Sequence, residues 1–194
     1  MAGATAPETN MNRFHRWYCG TGHWRRHLTG DILPGVVVSD LGPDVLELGP
    51  GRGASTTWLR NRLHGSLTSL ELDPELAAAL VSRFDDVQIV TGSGTAVPFD
   101  AGSFSAVVCT TMLHHVPTAA EQDRLFAEAR RVLSAGGSFC GSDSLSTPVF
   151  RLAHRGDVMN VVDPDQLPDR LAEAGFSDIS VSRGTDFFTF RATA

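Results

Sequence analysis

A glycine-rich turn follows the first strand-like segment of this chain. Residues 45–53 read Val-Leu-Glu-Leu-Gly-Pro-Gly-Arg-Gly, with glycines at positions 49, 51 and 53. Glycines let the backbone approach a ligand closely, and the helix expected at residues 54–63 would present its first N–H groups there. Glu71 ends the next strand, at the ~20-residue offset typical of an acid that binds ribose hydroxyls. The pattern predicts a nucleoside-containing cofactor, against the alternative of a tight strand-to-helix connection with a surface glutamate.

Histidines and acids follow two of the later strands. His114 and His115 come just after the strand at residues 105–109, at the edge where open α/β sheets bind ligands. Either could act as a general base toward a phenol or an alcohol, which must lose a proton to react as a nucleophile. The alternative is that both are structural loop residues. Secondary candidates follow the fifth strand on the same edge: Asp143, His154 and Asp157.

A segment of aromatic and basic residues precedes the first strand, at residues 11–33. One interpretation makes Trp17, Tyr18 and Trp24 a lid over the ligand, because such side chains combine apolar area with a polar tip. A second interpretation uses arginines of the segment to grip an anionic ligand or nucleic acid. These arginines are Arg13, Arg16, Arg25 and Arg26. A third interpretation packs one or two helices of the segment on the sheet.

Strand-like and helix-like segments alternate from residue 44 onward. We expect strands at residues 44–48, 67–71, 87–90, 105–109 and 138–142, and helices at 54–63, from 74, at 119–133 and up to 174. The last two strands, at residues 179–182 and 187–191, are separated by only four residues. So short a link permits an antiparallel hairpin and forbids a parallel crossover. The prediction is a doubly wound α/β fold, with a mostly parallel sheet, helices on both faces and a C-terminal antiparallel hairpin.

The glycine spacing is Gly-x-Gly-x-Gly, which differs from the Gly-x-Gly-x-x-Gly of dinucleotide-binding folds. With this glycine spacing, residues 44–192 resemble the class I S-adenosylmethionine-dependent methyltransferases. Residues 110–116, Thr-Thr-Met-Leu-His-His-Val, resemble the ubiquinone/menaquinone-biosynthesis type. Other segments that resemble motifs of the family are residues 70–74, 92–104, 131–137 and 174–176. The resemblance implies a Rossmann-like fold, S-adenosylmethionine as methyl donor, S-adenosylhomocysteine as product, and in-line transfer to an O, N or C nucleophile of a small molecule. The aromatic segment fits an apolar or aromatic acceptor.

The resemblance also implies roles for individual residues. Glu47 would engage the ammonium group of the donor, directly or through water, while Glu71 would bind the ribose hydroxyls and Leu72 would pack on adenine. The other residues expected at the donor are Gly49, Pro50, Gly51, Gly53, Ser93, Gly94 and Thr110. Two positions depart from the family. Ser93 stands where an aspartate usually receives the adenine amino group, and Ser105 stands where another aspartate often precedes the fourth strand; we expect only the first to affect the adenine site.

Composition narrows the class of protein. The chain has 194 residues, of which 42% are hydrophobic, and this fits one α/β domain with a substantial core. We expect a disordered tail at residues 1–10, an arm and linker at 11–43, and the catalytic domain at 44–194. Its three cysteines form no Cys-x-x-Cys pair, so we predict a reducing, cytoplasmic compartment and no metal site. No signal-peptide pattern opens the sequence, and no apolar run reaches the ~18–20 residues that span a bilayer.

Other function classes require features that differ from this sequence. The net charge is −6 and all 16 basic residues are arginine, which disfavours a nucleic-acid substrate and excludes lysine-dependent ribose methylation. Enzymes that methylate base amino groups carry Asn/Asp-Pro-Pro-aromatic, where residues 109–112 read Cys-Thr-Thr-Met. A nicotinamide oxidoreductase is opposed by the glycine spacing and the terminal hairpin. A non-catalytic module that binds the cofactor stays open as an alternative.

Overall fold

The computed structural model describes residues 17–38, 40–156 and 159–194. Its strands are β1 (Asp44–Leu48), β2 (Ser66–Glu71), β3 (Gln88–Thr91), β4 (Phe104–Thr110), β5 (Leu133–Ser144), β6 (Ser177–Arg183) and β7 (Phe187–Thr193). The helices are α1 (Gly22–His27), α2 (Leu33–Val36), α3 (Ala54–Arg60), α4 (Pro74–Val81), α5 (Ala119–Val132), α6 (Pro148–Ala153) and α7 (Leu167–Glu173). A π-helical turn, Leu28–Ile32, joins α1 to α2, and a 3₁₀ turn, Leu113–His115, follows β4. None of the helices described is both long and apolar enough to traverse a bilayer.

The strands form one sheet in the order β3-β2-β1-β4-β5-β7-β6. The first five strands of that order pair in parallel, whereas β7 lies antiparallel between β5 and β6. The short link between β6 and β7 therefore forms the predicted hairpin. The prediction of a doubly wound, mostly parallel sheet with an antiparallel C-terminal edge is confirmed.

Side chains of the central strands alternate between two cores, as expected of strands covered on both faces. Val45 lies in one core with Leu59 of α3 and Leu80 of α4. Leu46 points to the other core, where it meets Leu125 of α5. Helices therefore cover both faces of the sheet, and the carboxyl ends of β1, β2, β4 and β5 meet at one edge.

The segment before β1 divides into two parts. Leu28, Ile32, Leu33 and Val36 are buried in the core that also holds Val45. Residues 28–36 therefore agree with the third interpretation of this segment, in which its helices pack on the sheet. The tail predicted at residues 1–10, together with Arg13 and Arg16, lies outside the residues that the structure describes.

Candidate active site

A cavity of about 810 Å³ opens at the carboxyl edge of the parallel strands. Its wall is built from residues 18–28, the turn after β1, the end of β2, the loop after β3, the end of β4 with its 3₁₀ turn, the region of α6 and the β6–β7 turn. Most of the residues predicted from the sequence are in this wall: Tyr18, Trp24, Gly49, Pro50, Gly51, Glu71, Leu72, Ser93, Gly94, Thr110, His114 and His115. Glu47, Gly53 and Trp17 are not in it.

The three glycines of the turn have positive φ angles, of +66°, +55° and +75° at Gly49, Gly51 and Gly53. Gly49 and Gly51 line the cavity, and a Cβ added to Gly51 would meet no atom within 4 Å. A Cβ added to Gly53 would lie 2.7 Å from Leu80 Cδ2, so this glycine allows α3 and α4 to approach each other. The structure therefore places Gly53 in packing, away from the expected ligand contact.

Glu71 joins the end of β2 to the glycine turn. Its Oε2 accepts a hydrogen bond from the backbone N–H of Gly51 at 2.9 Å, and its Oε1 accepts one from Asp73 at 3.0 Å. Burial raises the pKa of Glu71 above its ordinary value, and these backbone N–H donors oppose the rise. A carboxylate can accept further hydrogen bonds besides these, and Glu71 lines the cavity.

Glu47 lies behind the wall, where it is only 1% exposed. Its carboxylate accepts hydrogen bonds from Ser55 at 2.5 Å, Thr56 at 2.7 Å and Ser69 at 2.7 Å. Burial raises the pKa of Glu47, and the three hydroxyl donors counteract this. Ser55 does line the cavity, so the hydroxyl of Ser55 stands between Glu47 and the ligand space. Sequence reasoning did not select Ser55, although a hydroxyl residue in the first turn of the helix after such a glycine turn is a readable signal.

The two departures from the family pattern lie in different places. Ser93 lines the cavity, and its Oγ lies 2.8 Å from Thr95 Oγ1 and accepts the Thr95 N–H at 3.2 Å. Ser105 lies at the opposite edge of the sheet, where its Oγ accepts the N–H of Asp44 and donates to Leu41 O. This position supports the interpretation of Ser105 as peripheral to the site.

A cluster of histidines forms part of the cavity wall. His114 is 2% exposed, its Nδ1 lies 2.5 Å from Asp143 Oδ1, and its backbone N–H donates to Asp143 Oδ2 at 2.8 Å. His154 Nδ1 lies 2.8 Å from the carbonyl oxygen of Phe150. His115 is half-buried beside them, and all three rings and Phe150 line the cavity. Asp157 lies outside the described residues.

The start of the described chain meets the β6–β7 turn at another part of the wall. Tyr18 and Trp24 have ring centroids 5.7 Å apart, and the ring of His27 lies 5.9 Å from that of Trp24. His27 Nε2 is 3.5 Å from Asp186 Oδ2 in the turn. Trp17, in contrast, is 63% exposed. The geometry thus separates the three aromatic residues that were predicted to act together.

The charged residues of the wall are mainly acidic. Within the described part of the lining, Arg52 is the one arginine, and the carboxylates are those of Glu71, Asp73, Glu121 and Asp186. Arg25 and Arg26, both exposed, are not part of the wall. The cavity is therefore poorly suited to an acceptor with several negative charges.

Residues 46–141 match a family model described as a methyltransferase domain. The chain is 26% identical over 168 residues to 2-methyl-6-phytyl-1,4-hydroquinone methyltransferase 1, chloroplastic, of Oryza sativa subsp. japonica, which covers 84% of this chain and 49% of that protein. It is 43% identical over 67 residues to ribosomal RNA small subunit methyltransferase A of Synechococcus sp. (strain WH7803), covering 33% of this chain and 23% of that protein. The chain thus spans about half or less of the length of these two relatives.

Solved structures share the fold at low identity. Phosphoethanolamine N-methyltransferase 2 of Haemonchus contortus, in complex with S-adenosyl-L-methionine, superposes with a TM-score of 0.75 at 16% identity, over 93% of this chain and 56% of that one. A possible histamine N-methyltransferase of Thermotoga maritima superposes with a TM-score of 0.67 at 17% identity, over 93% of this chain and 98% of that one.

Proposed function

Because the chain belongs to the class I S-adenosylmethionine-dependent methyltransferases, we propose that it methylates a small, uncharged acceptor, with S-adenosylmethionine as donor. One observation carries the proposal: the glycine turn, Glu71 and the histidines His114 and His115 all line the same cavity. A donor site and an acceptor site can therefore share one space, from which methyl transfer requires water to be excluded.

The residues at the turn fit the donor. Gly51 leaves open space in front of the backbone, and Glu71 offers buried carboxylate oxygens to ribose hydroxyls. Leu72 exposes an apolar side chain next to Glu71, on which adenine would pack. Ser55 replaces Glu47 as the group nearest to the ammonium end, with Glu47 holding the Ser55 hydroxyl from behind.

S-adenosylmethionine supplies an electrophilic methyl group on a sulfonium, so the protein has to align an acceptor and exclude water. Tyr18, Trp24 and Phe150 supply the apolar part of the wall on the acceptor side. If the acceptor is a hydroxyl, it has to lose its proton, and we propose that His114 or His115 accepts that proton. Asp143 binds Nδ1 of His114 and so leaves Nε2 of this ring for the proton transfer.

The wall favours a neutral aromatic or apolar acceptor over a phosphorylated one. The described lining carries four carboxylates and a single arginine, so its overall charge opposes a phosphate. The relative in rice is named for a hydroquinone substrate, and this supports an acceptor of the quinol class. The similarity to the ribosomal RNA enzyme covers only 67 residues, and a net charge of −6 opposes a nucleic-acid substrate.

The test combines binding and turnover. Calorimetry should show binding of S-adenosylhomocysteine and none of NADH. Mass spectrometry with methyl-deuterated donor should then show label in a simple alkylated hydroquinone, and none in phosphoethanolamine or RNA. Tight NADH binding without S-adenosylhomocysteine binding would refute the donor site, and label in RNA alone would refute the acceptor class. Donor binding without turnover of any acceptor would favour the non-catalytic alternative.

We also propose residues 44–194 as the methyltransferase domain, with residues 11–43 as its arm and linker. The burial of Leu28, Ile32, Leu33 and Val36 supports counting residues 28–36 with the folded body. The cytoplasmic location predicted from the cysteine pattern stays a prediction.

A further inference from the structure

Three histidines come together in the wall of the cavity. His114, His115 and His154 each offer a ring nitrogen, and these three nitrogens lie within 4.8 Å of one another. We propose that the three side chains form a binding site for one divalent transition-metal ion, of which Zn²⁺ is the model probe. The proposal departs from the prediction that the chain has no metal site, which considered cysteine spacing alone.

Asp143 prepares His114 to be a ligand. This carboxylate is fully buried, and it accepts the backbone N–H groups of both His114 and Ser144. Its Oδ1 then meets Nδ1 of the His114 ring at 2.5 Å. A carboxylate partner places a proton on Nδ1, and in the neutral ring this leaves the lone pair on Nε2. A carboxylate on the far nitrogen of an imidazole is the usual support of a metal-binding histidine, because it fixes the tautomer and raises the basicity of the ligand.

His154 is oriented in the same way by a different partner. A carbonyl oxygen only accepts hydrogen bonds, so the 2.8 Å contact with Phe150 O requires the proton of His154 on Nδ1. Its Nε2 therefore also carries the lone pair, and the Nε2 atoms of His154 and His114 are both buried. The ring centroids of these two histidines are 5.1 Å apart. Two separate parts of the chain thus direct imidazoles of the same tautomer to one place.

The donor set selects the class of ion. Imidazole nitrogens suit Zn²⁺, Cu²⁺, Fe²⁺ and Ni²⁺, whereas Mg²⁺ and Ca²⁺ require oxygen ligands. The three ring nitrogens lie within 4.8 Å of one another, and tetrahedral zinc holds its ligand nitrogens roughly 3.3 Å apart. The side chains therefore have to move closer together when the ion binds. His154 is buried and hydrogen-bonded to Phe150, whereas His115 is half-buried, so we expect the His115 side chain to make most of this movement.

Three protein ligands leave a fourth position open, and we place it toward the cavity because all three histidines line that cavity. The consequence for chemistry rests on the proposed function. A Lewis acid there would lower the pKa of an acceptor hydroxyl. Its proton would pass to solvent, the freed electron pair would form the new O–CH₃ bond, and the breaking S–CH₃ bond would leave a neutral thioether. The histidines would then act as ligands rather than as the base.

Calorimetric titration of the EDTA-treated full chain with ZnCl₂ tests the site, with CoCl₂ absorption as a second readout of coordination. We expect one ion per chain, with affinity about 100-fold or more lower in His154→Gln and in His115→Gln. Two variants provide the comparison. His64→Gln, at an exposed histidine outside the cluster, should bind as the parent does, and Asp143→Asn should weaken binding about 10–100-fold through His114.

Binding of S-adenosylhomocysteine by each variant shows that it is folded and separates the two proposals. Zinc binding no tighter in the parent than in His154→Gln and His115→Gln would overturn the metal site, and so would an equal loss in His64→Gln. Failure of zinc binding with intact S-adenosylhomocysteine binding would refute the metal site alone. Stoichiometric zinc binding without S-adenosylhomocysteine binding would instead refute the proposed function.

Discussion

The carboxylate of Glu71 accepts the backbone N–H of Gly51 at 2.9 Å, across 20 residues of sequence. This hydrogen bond holds the glycine turn after β1 against the end of β2, so Glu71 has two roles. It shapes the turn, and it keeps oxygens available to a ligand in the cavity.

Glu71→Ala should weaken S-adenosylhomocysteine binding about 10- to 100-fold, because a charged hydrogen-bond acceptor contributes ~1.5–3 kcal/mol. Calorimetry measures the change, and the affinity for the acceptor should stay as in the parent. Glu75→Ala, at an exposed carboxylate four residues away, is the matched control and should bind normally. A Glu71→Ala variant that binds as tightly as the parent would show that the ribose lies elsewhere.

Glu47 should make the fold less stable as pH rises. Burial raises its pKa above the ordinary 4.5, so the folded protein holds the proton more strongly than the unfolded chain does. Stability from this group is then largest below the unfolded pKa and is lost as pH rises through the folded pKa. Glu47→Gln removes this titration, and the free energy of unfolding should decline less from pH 4.5 toward neutrality than in the parent.

Urea denaturation across that pH range measures the effect, with Glu75→Gln as the exposed control. Glu71 also has a raised pKa, so part of the decline should persist in Glu47→Gln. An unchanged pH profile in Glu47→Gln would mean that the three hydroxyl donors of Ser55, Thr56 and Ser69 fully offset the cost of burial.

Local patterns predicted the fold well because the relevant signals lie close together in sequence. Val45 and Leu46 point to opposite cores as strand alternation requires, and the short link before β7 forbids a parallel crossover. The site was predictable only where the family motifs lie on the wall itself. The position of Glu47 behind Ser55 depends on the packing of α3. The contact between His154 and His114 brings together residues that are 40 positions apart in the sequence. Neither follows from periodicity or spacing.

The glycine turn offers a matched pair of substitutions. Gly53→Ala should lower the free energy of unfolding by about 1–3 kcal/mol, since it combines a positive φ with overpacking against Leu80 and Phe84. Gly51→Ala should cost only ~1 kcal/mol of stability, because its Cβ meets no protein atom. It should nevertheless weaken S-adenosylhomocysteine binding about tenfold or more, since the new methyl group enters the ligand space.

Gly136→Ala is the control for the stability that is lost when alanine adopts a positive φ. Gly136 has a φ of +76°, and an added Cβ there also meets nothing within 4 Å. Thermal unfolding and calorimetry together separate the two effects. A Gly51→Ala variant that binds the ligand normally would place the donor away from this turn.

The aromatic residues before β1 give a series in which Trp17 is the control. Tyr18 and Trp24 line the cavity, whereas Trp17 is 63% exposed and lies outside its wall. Deleting the segment through Leu28 would also remove a buried core side chain, so single substitutions test the lid more sharply. Tyr18→Ala should slow methyl transfer about tenfold or more by admitting water and loosening the acceptor, while S-adenosylhomocysteine affinity falls only about two- to threefold.

Trp24→Ala should reproduce this loss of turnover and also lower the melting temperature, because Trp24 packs partly on the core that contains Leu28. Trp17→Ala should change neither quantity, and Tyr18→Phe should restore most of the turnover because the ring supplies the apolar cover. The measurements are kcat/KM for the best acceptor, calorimetry and thermal unfolding on all four variants. Full turnover in Tyr18→Ala, or an equal loss in Trp17→Ala, would remove the lid and leave the segment as packing alone.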